Sequence, residues 1–307
     1  MTVSTTVAGL FTGAPVALAP EQAGPFLSAH LPAEATAQGA QAAAMLEPGE
    51  RYAITRNVAV VPVRGLLTPN AFALERWLGW TTYQGLEATL GELAANEDVA
   101  AIVLPMDSPG GLVIGCTGAG RAVAAAASVK PVHALVHPLA ASAAYWIASQ
   151  ATDITITPGS FLGSIGVLGG ASHPVKAGEA RGWQDFVTVS GHARAKRPDP
   201  TTEAGQAEAQ RVVDAMEAEF HAAVSTGRSI PLADLPARLS VTGDPADGGA
   251  IFWGQEAVSR GLADRVETDA DFWARIGAAY APRQPRVRRS ARAAAAAAQA
   301  AMARATL

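Results

Sequence analysis

Three short segments carry side chains able to do acyl-transfer chemistry. The first is HPLAASAAYWIAS at 137–149, where Ser142 stands among alanines at the start of a helix-forming stretch. That position exposes a hydroxyl at a sharp turn and leaves the amide of Ala143 free to donate at the helix N-terminus. The second is DSPGG at 107–111, directly after an apolar run. Gly110 and Gly111 let the backbone approach a ligand closely and turn amide hydrogens outward, as an oxyanion site requires. The third is GSIGV at 163–167, where Ser164 can hydrogen-bond a neighbouring catalytic group. Taken singly, Ser142 reads better as a packing or capping serine and DSPGG as an ordinary strand-to-helix turn. A simple turn serine is the plain alternative for Ser164.

A serine nucleophile needs a base. The histidines are His30, His133, His137, His173, His192 and His221, and none shows a triad signature, although His133 and His137 share a strand face. Lysine can serve when desolvation and nearby positive charge leave the amine neutral. The chain has only three lysines, Lys130, Lys176 and Lys196. Lys130, at a helix end before Pro131, suits the helix dipole. Lys176 belongs to a short polar helix facing solvent. Lys196 lies in SGHARAKRPDP at 190–200, where Arg194 and Arg197 would favour its neutral form if they shared its environment. They make an ordinary basic surface loop equally well. Tyr145 and Trp146 read as core aromatics or as the lining of a cleft.

The elements that must position these groups alternate. Apolar runs at 57–64, 100–106 and 131–137 predict buried strands, with Pro138 stopping the third, and shorter strands are predicted at 153–157, 165–168 and 185–189. Helical spacing falls at 83–96, 112–127, 141–150 and 254–261, and at 202–226 behind a capping-type TTEAG. Strands alternating with helices predict an α/β domain with a largely parallel sheet. Residues 1–56 read as an Ala/Pro/Gly-rich extension with one short helix around 20–31.

Composition narrows the function. A hydrophobic content of 49% in 307 residues supports one large core or two small ones, and a net charge of −4 argues against a wholesale nucleic-acid binder. The single cysteine, Cys116, excludes an intramolecular disulfide framework and a multi-Cys zinc site, and fits a reducing compartment. No lysine or arginine precedes Arg51 and no run of about 18 apolar residues occurs, so the expectation is an intracellular protein without a targeting signal or membrane helix. Residues 281–307 hold six arginines and no acid, which reads as a frayed, solvated helix or as a handle for an acidic partner or nucleic acid.

The order DSPGG, LAASAAYWIAS, GSIGV, a glycine-plus-lysine loop and GQEAVSRGLAD resembles the signal peptide peptidase family of serine peptidases, over about residues 57–267. Within that family it is most similar to the phage-encoded branch that processes capsid and scaffold proteins during head maturation. The resemblance implies a ClpP/crotonase-like fold of repeated ββα units with a helical C-terminal extension, and a Ser-Lys dyad needing no metal or organic cofactor. It implies Ser142 as nucleophile, Gly110 with Gly111 nearby and Ala143 as the oxyanion hole, Ser164 orienting the lysine, and Lys196 as base. Two features depart from the pattern. Ala143 and Ala144 replace a common Gly-Gly, and Arg194 stands where many relatives carry the lysine; arginine does not deprotonate at working pH. The implied division is an extension at 1–56, a peptidase domain at 57–267 and an Ala/Arg-rich helical tail at 268–307. Protein substrates such as capsid, scaffold or portal proteins, a homo-oligomer, and a location in the host cytoplasm or the prohead follow from the same resemblance. Alternatives are a soluble signal-peptide-peptidase-like protease, a crotonase-type acyl-CoA enzyme, or a catalytically silent scaffold or shell component.

Overall fold

The computed structural model describes residues 7, 16–30, 47–169, 190, 195 and 198–281. The expected strand at 185–189, Lys176, Lys196 and the arginine tail beyond residue 281 lie outside the described residues.

The amino-terminal segment forms β1 (Val16–Leu18) and α1 (Pro20–Leu27), the latter with proline at its first turn, where a missing N–H costs nothing. The expected strand at 57–64 divides into β3 (Val58–Val60) and β4 (Val63–Arg64), preceded by β2 (Ala53–Thr55). Next come α2 (Phe72–Leu78) and α3 (Tyr83–Ala95), the second capped by the Thr82 hydroxyl, which accepts from the Gly85 N–H at 3.2 Å. β5 (Ala101–Ser108) runs two residues beyond its expected end. The DSPGG segment turns at Pro109 and continues as β6 (Gly110–Leu112), so α4 starts late, at Cys116–Val129.

β7 (Val132–Ala141) pairs in parallel with β5 from Ile102–Val132 to Ser108–Ala140. Pro138 does not end it. The register slips between Met106 and Asp107, leaving His137 and Pro138 unmatched, and such a bulge is how a sheet accommodates a residue that cannot donate an N–H. The bulge also lets β7 change neighbours: His133–Val136 pair with β8 (Asp153–Ile156), and Leu139–Ala141 pair with β9 (Phe161–Gly163). β5 divides similarly, pairing first with β3 and then with β4. Strand pairs followed by helices give the repeated ββα units. Between β7 and β8 lies α5 (Ala143–Ala148). The strand expected at 165–168 is displaced to β9, and only Leu168 makes a bridge, to Val16.

α6 (Glu203–Arg228) carries the expected cap, with Thr202 Oγ1 accepting from the Gly205 N–H at 3.1 Å. α7 (Leu235–Leu239), β10 (Ile251–Trp253), α8 (Gly254–Ser259), β11 (Arg265–Val266) and α9 (Asp269–Ala279) complete the described chain. β10 is antiparallel to β9, and β11 is parallel to β8.

The central strands are buried on both faces, which explains their unbroken apolar runs. Ile102, Leu104, Met106, Ala134 and Val136 face Leu86, Leu90 and Val123 of α3 and α4 in one core. Val58, Val103 and Leu135 face Phe272 and Ile276 of α9 on the other side. Burying each of those two α9 side chains contributes about 1.5–3 kcal/mol.

Candidate active site

Ser142 closes β7 and caps α5 with φ 56° and ψ −121°, a conformation that L side chains rarely adopt. Two backbone bonds hold it there. Its N–H donates to the Gly163 carbonyl at 2.7 Å, and its carbonyl accepts from the Trp146 N–H at 2.9 Å. The residue is only 1% exposed, and its Oγ has no hydrogen-bond partner among the described residues. An orphaned buried hydroxyl costs about 1–3 kcal/mol, and a backbone of this kind costs a similar amount. Strain of both kinds concentrates at functional sites.

The flanking sequence makes this turn possible. Ala140, Ala141, Ala143 and Ala144 are fully buried, so methyl groups are the largest side chains beside the nucleophile candidate. Tyr145 and Trp146 anchor the helix behind it and are core residues. The Tyr145 hydroxyl donates to the Leu262 carbonyl at 2.9 Å, and Trp146 stacks on Phe220 of α6 with ring centroids 4.6 Å apart. As the first residue of α5, Ala143 has an N–H with no acceptor inside its own helix.

The two glycines of DSPGG do different things. Gly110 has φ +104°, and a Cβ on it would stand 2.2 Å from the Ala17 carbonyl oxygen and 3.0 Å from Ser142 Cβ. It is therefore the glycine that lies against Ser142. A Cβ on Gly111 would meet the Leu67 carbonyl oxygen at 2.0 Å, so this glycine serves backbone packing against Leu67. In this structure the Gly110 N–H donates to Ser108 Oγ at 3.1 Å, and that hydroxyl donates to the Gly65 carbonyl at 2.7 Å.

Parallel pairing of Ala141 with Gly163 sets Ser164 alongside the Ser142 turn. Ser164 also has positive φ, 51°, and its N–H donates to the Ala250 carbonyl at 2.8 Å. It lines a cavity of about 710 Å³ together with Leu18, Glu21, Gln22, Glu217 and His221. Burial pushes the His221 imidazole below the usual histidine range, against the opposing pull of Glu217. Nothing in the local sequence singled out His221 or β1 as neighbours of the site, because both arrive from distant parts of the chain.

The other basic candidates separate clearly. Lys130 Nζ donates to the Leu93 carbonyl at 2.9 Å and to the Asn96 carbonyl, so it closes the C-terminal end of α3 and not its own helix. It precedes β7 while Ser142 follows it, and a strand of that length spans roughly 30 Å. His133 bonds Asp153 Oδ1 through Nδ1 at 2.9 Å and the Tyr280 hydroxyl through Nε2 at 2.7 Å, under α9. His137 Nδ1 lies 2.9 Å from Thr157 Oγ1. Lys196 and Arg194 lie outside the described residues. Asp107 of the DSPGG segment is pushed up by burial, with Arg64 and His137 pulling it back.

Comparison with known proteins places the chain in a family. Residues 124–279 match the model of Peptidase family S49. The capsid assembly protease C of Escherichia phage lambda is 32% identical over 229 residues, covering 72% of this chain and 48% of that protein. The head-tail preconnector protein GP5 of Enterobacteria phage P21 is 32% identical over 231 residues, covering 73% of this chain and 43% of that protein. The chain thus spans somewhat under half the length of these two relatives. Among solved structures, an enoyl-CoA hydratase/isomerase family protein from Silicibacter pomeroyi is 13% identical with a TM-score of 0.46, over 76% of this chain and 83% of that one.

Proposed function

Because the chain belongs to peptidase family S49, we propose that it is a serine endopeptidase in which Ser142 is the nucleophile and Lys196 the base. The observation that carries this reading is the Ser142 hydroxyl, buried and without a partner among the described residues, on a strained turn between Gly110 and the Gly163–Ser164 pair.

Neutral Lys196 takes the Ser142 proton as Oγ attacks the scissile carbonyl, giving a tetrahedral oxyanion. The amides of Ala143 and Gly110, with Gly111 nearby, hold that charge. For Gly110 the oxyanion replaces the 3.1 Å bond to Ser108. Ser164 orients the lysine. As the C–N bond breaks, the lysinium returns its proton to the leaving amine, and water then hydrolyses the acyl-serine ester by the same route in reverse order. This chemistry calls on no metal or organic cofactor.

The finer assignment is to the signal-peptide-peptidase-like branch that matures phage heads, with capsid, scaffold or portal proteins as substrates. The names of the two phage relatives, a capsid assembly protease and a head-tail preconnector protein, support the phage-head part of it. We take residues 57–267 as the peptidase unit, with α9 packed against its sheet, working as a homo-oligomeric ring in the host cytoplasm or the prohead. None of the described helices is long and apolar enough to cross a membrane.

Co-expression with candidate capsid and scaffold proteins tests the reading. Processing should occur with the native chain and disappear with Ser142→Ala and with Lys196→Ala. Processing that persists in both variants overturns the dyad.

A further inference from the structure

A peptidase has to bind its substrate extended, because a scissile bond buried in a helix or sheet is out of reach. Adding the substrate as a strand to an open sheet edge meets that need, with main-chain hydrogen bonds holding it and pockets selecting alternate side chains. In this fold the edge beside the nucleophile candidate is β6, and it is already occupied. β1 lies antiparallel on it, pairing Val16 with Leu112, Ala17 with Gly111 and Leu18 with Gly110. The Ala19 N–H extends the ladder by donating to the Pro109 carbonyl at 2.8 Å.

The opposite edge of this strip is bonded too. Val16 donates to the Leu168 carbonyl and accepts from the Leu168 N–H, both at 2.9 Å. Four residues therefore fill a slot between the glycine turn and the chain that leaves β9. Their side chains alternate with the strand period. Ala17 and Ala19 point inward and are buried, Ala19 against Leu139 and Ala141, while Val16 and Leu18 stay partly exposed, Leu18 at the cavity that Ser164 lines. The Ala17 carbonyl oxygen and Ser142 Cβ both fall within 3.0 Å of the point a Cβ on Gly110 would occupy, so the strip and Ser142 meet at this glycine.

We infer that Val16–Ala19 is a tethered occupant of the slot between β6 and Leu168, lying where an extended substrate would lie, and that a protein substrate must displace it. The inference rests on the reading of Ser142 as the nucleophile. Attachment to the same chain raises the effective concentration of this segment at the slot, so the free enzyme is restrained until the segment leaves. Positions that close on a methyl group exclude long or charged residues.

The test compares the full chain with an Ala17→Arg/Ala19→Arg variant and with Ala19→Pro. The proline is compatible with φ −79° at Ala19 and removes the N–H given to Pro109, while adding ring carbons and no charge at this buried position. Hydrogen exchange over 109–112 and 165–169 should quicken at least about tenfold in the double variant and less in Ala19→Pro. A synthetic peptide of residues 12–23 should restore protection, and the same peptide with both arginines should not. Labelling of Ser142 by a fluorophosphonate should accelerate in parallel. Exchange equal to the native chain in both variants overturns the inference. Faster exchange that the peptide reverses, with no labelling of Ser142 in any form, upholds the slot and sinks the catalytic reading.

Discussion

The backbone N–H of Ser142 donates to the carbonyl of Gly163 at 2.7 Å, so the nucleophile candidate is fastened to the strand that leads into Ser164. Gly163 has φ +117°, and a Cβ there would stand 2.7 Å from the Ala250 carbonyl oxygen. Gly163→Ala should lower stability by about 1–3 kcal/mol and slow fluorophosphonate labelling of Ser142 about tenfold or more, since a misplacement of 1 Å is costly at a reacting centre. Thermal unfolding and labelling kinetics check the two effects separately. Native labelling in a destabilised variant would show that the bond does not position the serine.

Ser142→Ala should abolish hydrolysis without destabilising the fold. Removing an unpaired buried hydroxyl from a position that alanine tolerates as well as serine should leave stability unchanged or raise it by up to about 1 kcal/mol. A fall of several degrees in the unfolding midpoint would contradict the orphaned state of Oγ.

Lys196→Arg preserves the charge and removes the ability to hold a neutral amine at working pH. It should be as inactive as Lys196→Ala, measured by cleavage of a co-expressed substrate. Hydrolysis by the native chain should rise as pH is raised and the amine loses its proton. A profile flat from mildly acid to alkaline pH, or activity in the arginine variant, counts against Lys196.

Cys116 lies beneath the site, with Sγ 3.7 Å from the Ala143 carbonyl oxygen. Burial pushes its thiol up to about 12, although its hydrogen bond with Tyr83 pulls the other way. The thiolate fraction at pH 8 is then on the order of 10⁻⁴. Iodoacetamide should leave the native chain unmodified and add one group only after unfolding, as read by intact mass. Rapid native alkylation would be inconsistent with this packing.

Asp153 is the acid-sensitive joint between the sheet and α9. Burial opposes its ionised form, but the hydrogen bond and charge of His133, together with Arg265 and Arg275, hold the carboxyl below its usual range. A depressed folded value stabilises the native state above the ordinary carboxylate range, and that contribution is lost as pH falls through the folded value. Asp153→Asn should therefore cost about 1–2 kcal/mol near neutrality. The gap from the native chain should shrink below about pH 4. A constant gap across that range, measured by denaturant unfolding, would assign the effect to lost packing.

The pieces of the candidate site were visible in residue types, although only their order along the chain, through the family resemblance, singled them out. A serine ringed by alanines, two adjacent glycines after an apolar run and a glycine-flanked serine are local features, and the structure brings all three to one end of the sheet. The strands at 100–106, 131–137 and 153–157 and the helices at 83–96 and 202–226 were legible for the same reason, since burial on both faces or a capping threonine is written in neighbouring residues. Where the reading failed, pairing overrode local pattern. Pro138 looked like a strand end, yet a two-residue slip against β5 carries β7 through it to Ala141. The strand expected at 165–168 lies at Phe161–Gly163, because Leu139–Ala141 on one side and Ile251–Trp253 on the other select that register.

The sequence by itself determined which groups are candidates to react and the order of the elements that carry them, because both depend on residues adjacent in the chain. The tertiary structure alone decided that Lys130 closes a helix far from Ser142, that Gly110 and not Gly111 lies against it, and that Val16–Leu18 pairs with the strand beside it. Each of these relations joins residues tens of positions apart, and strand register and long-range packing settle them where no local preference can.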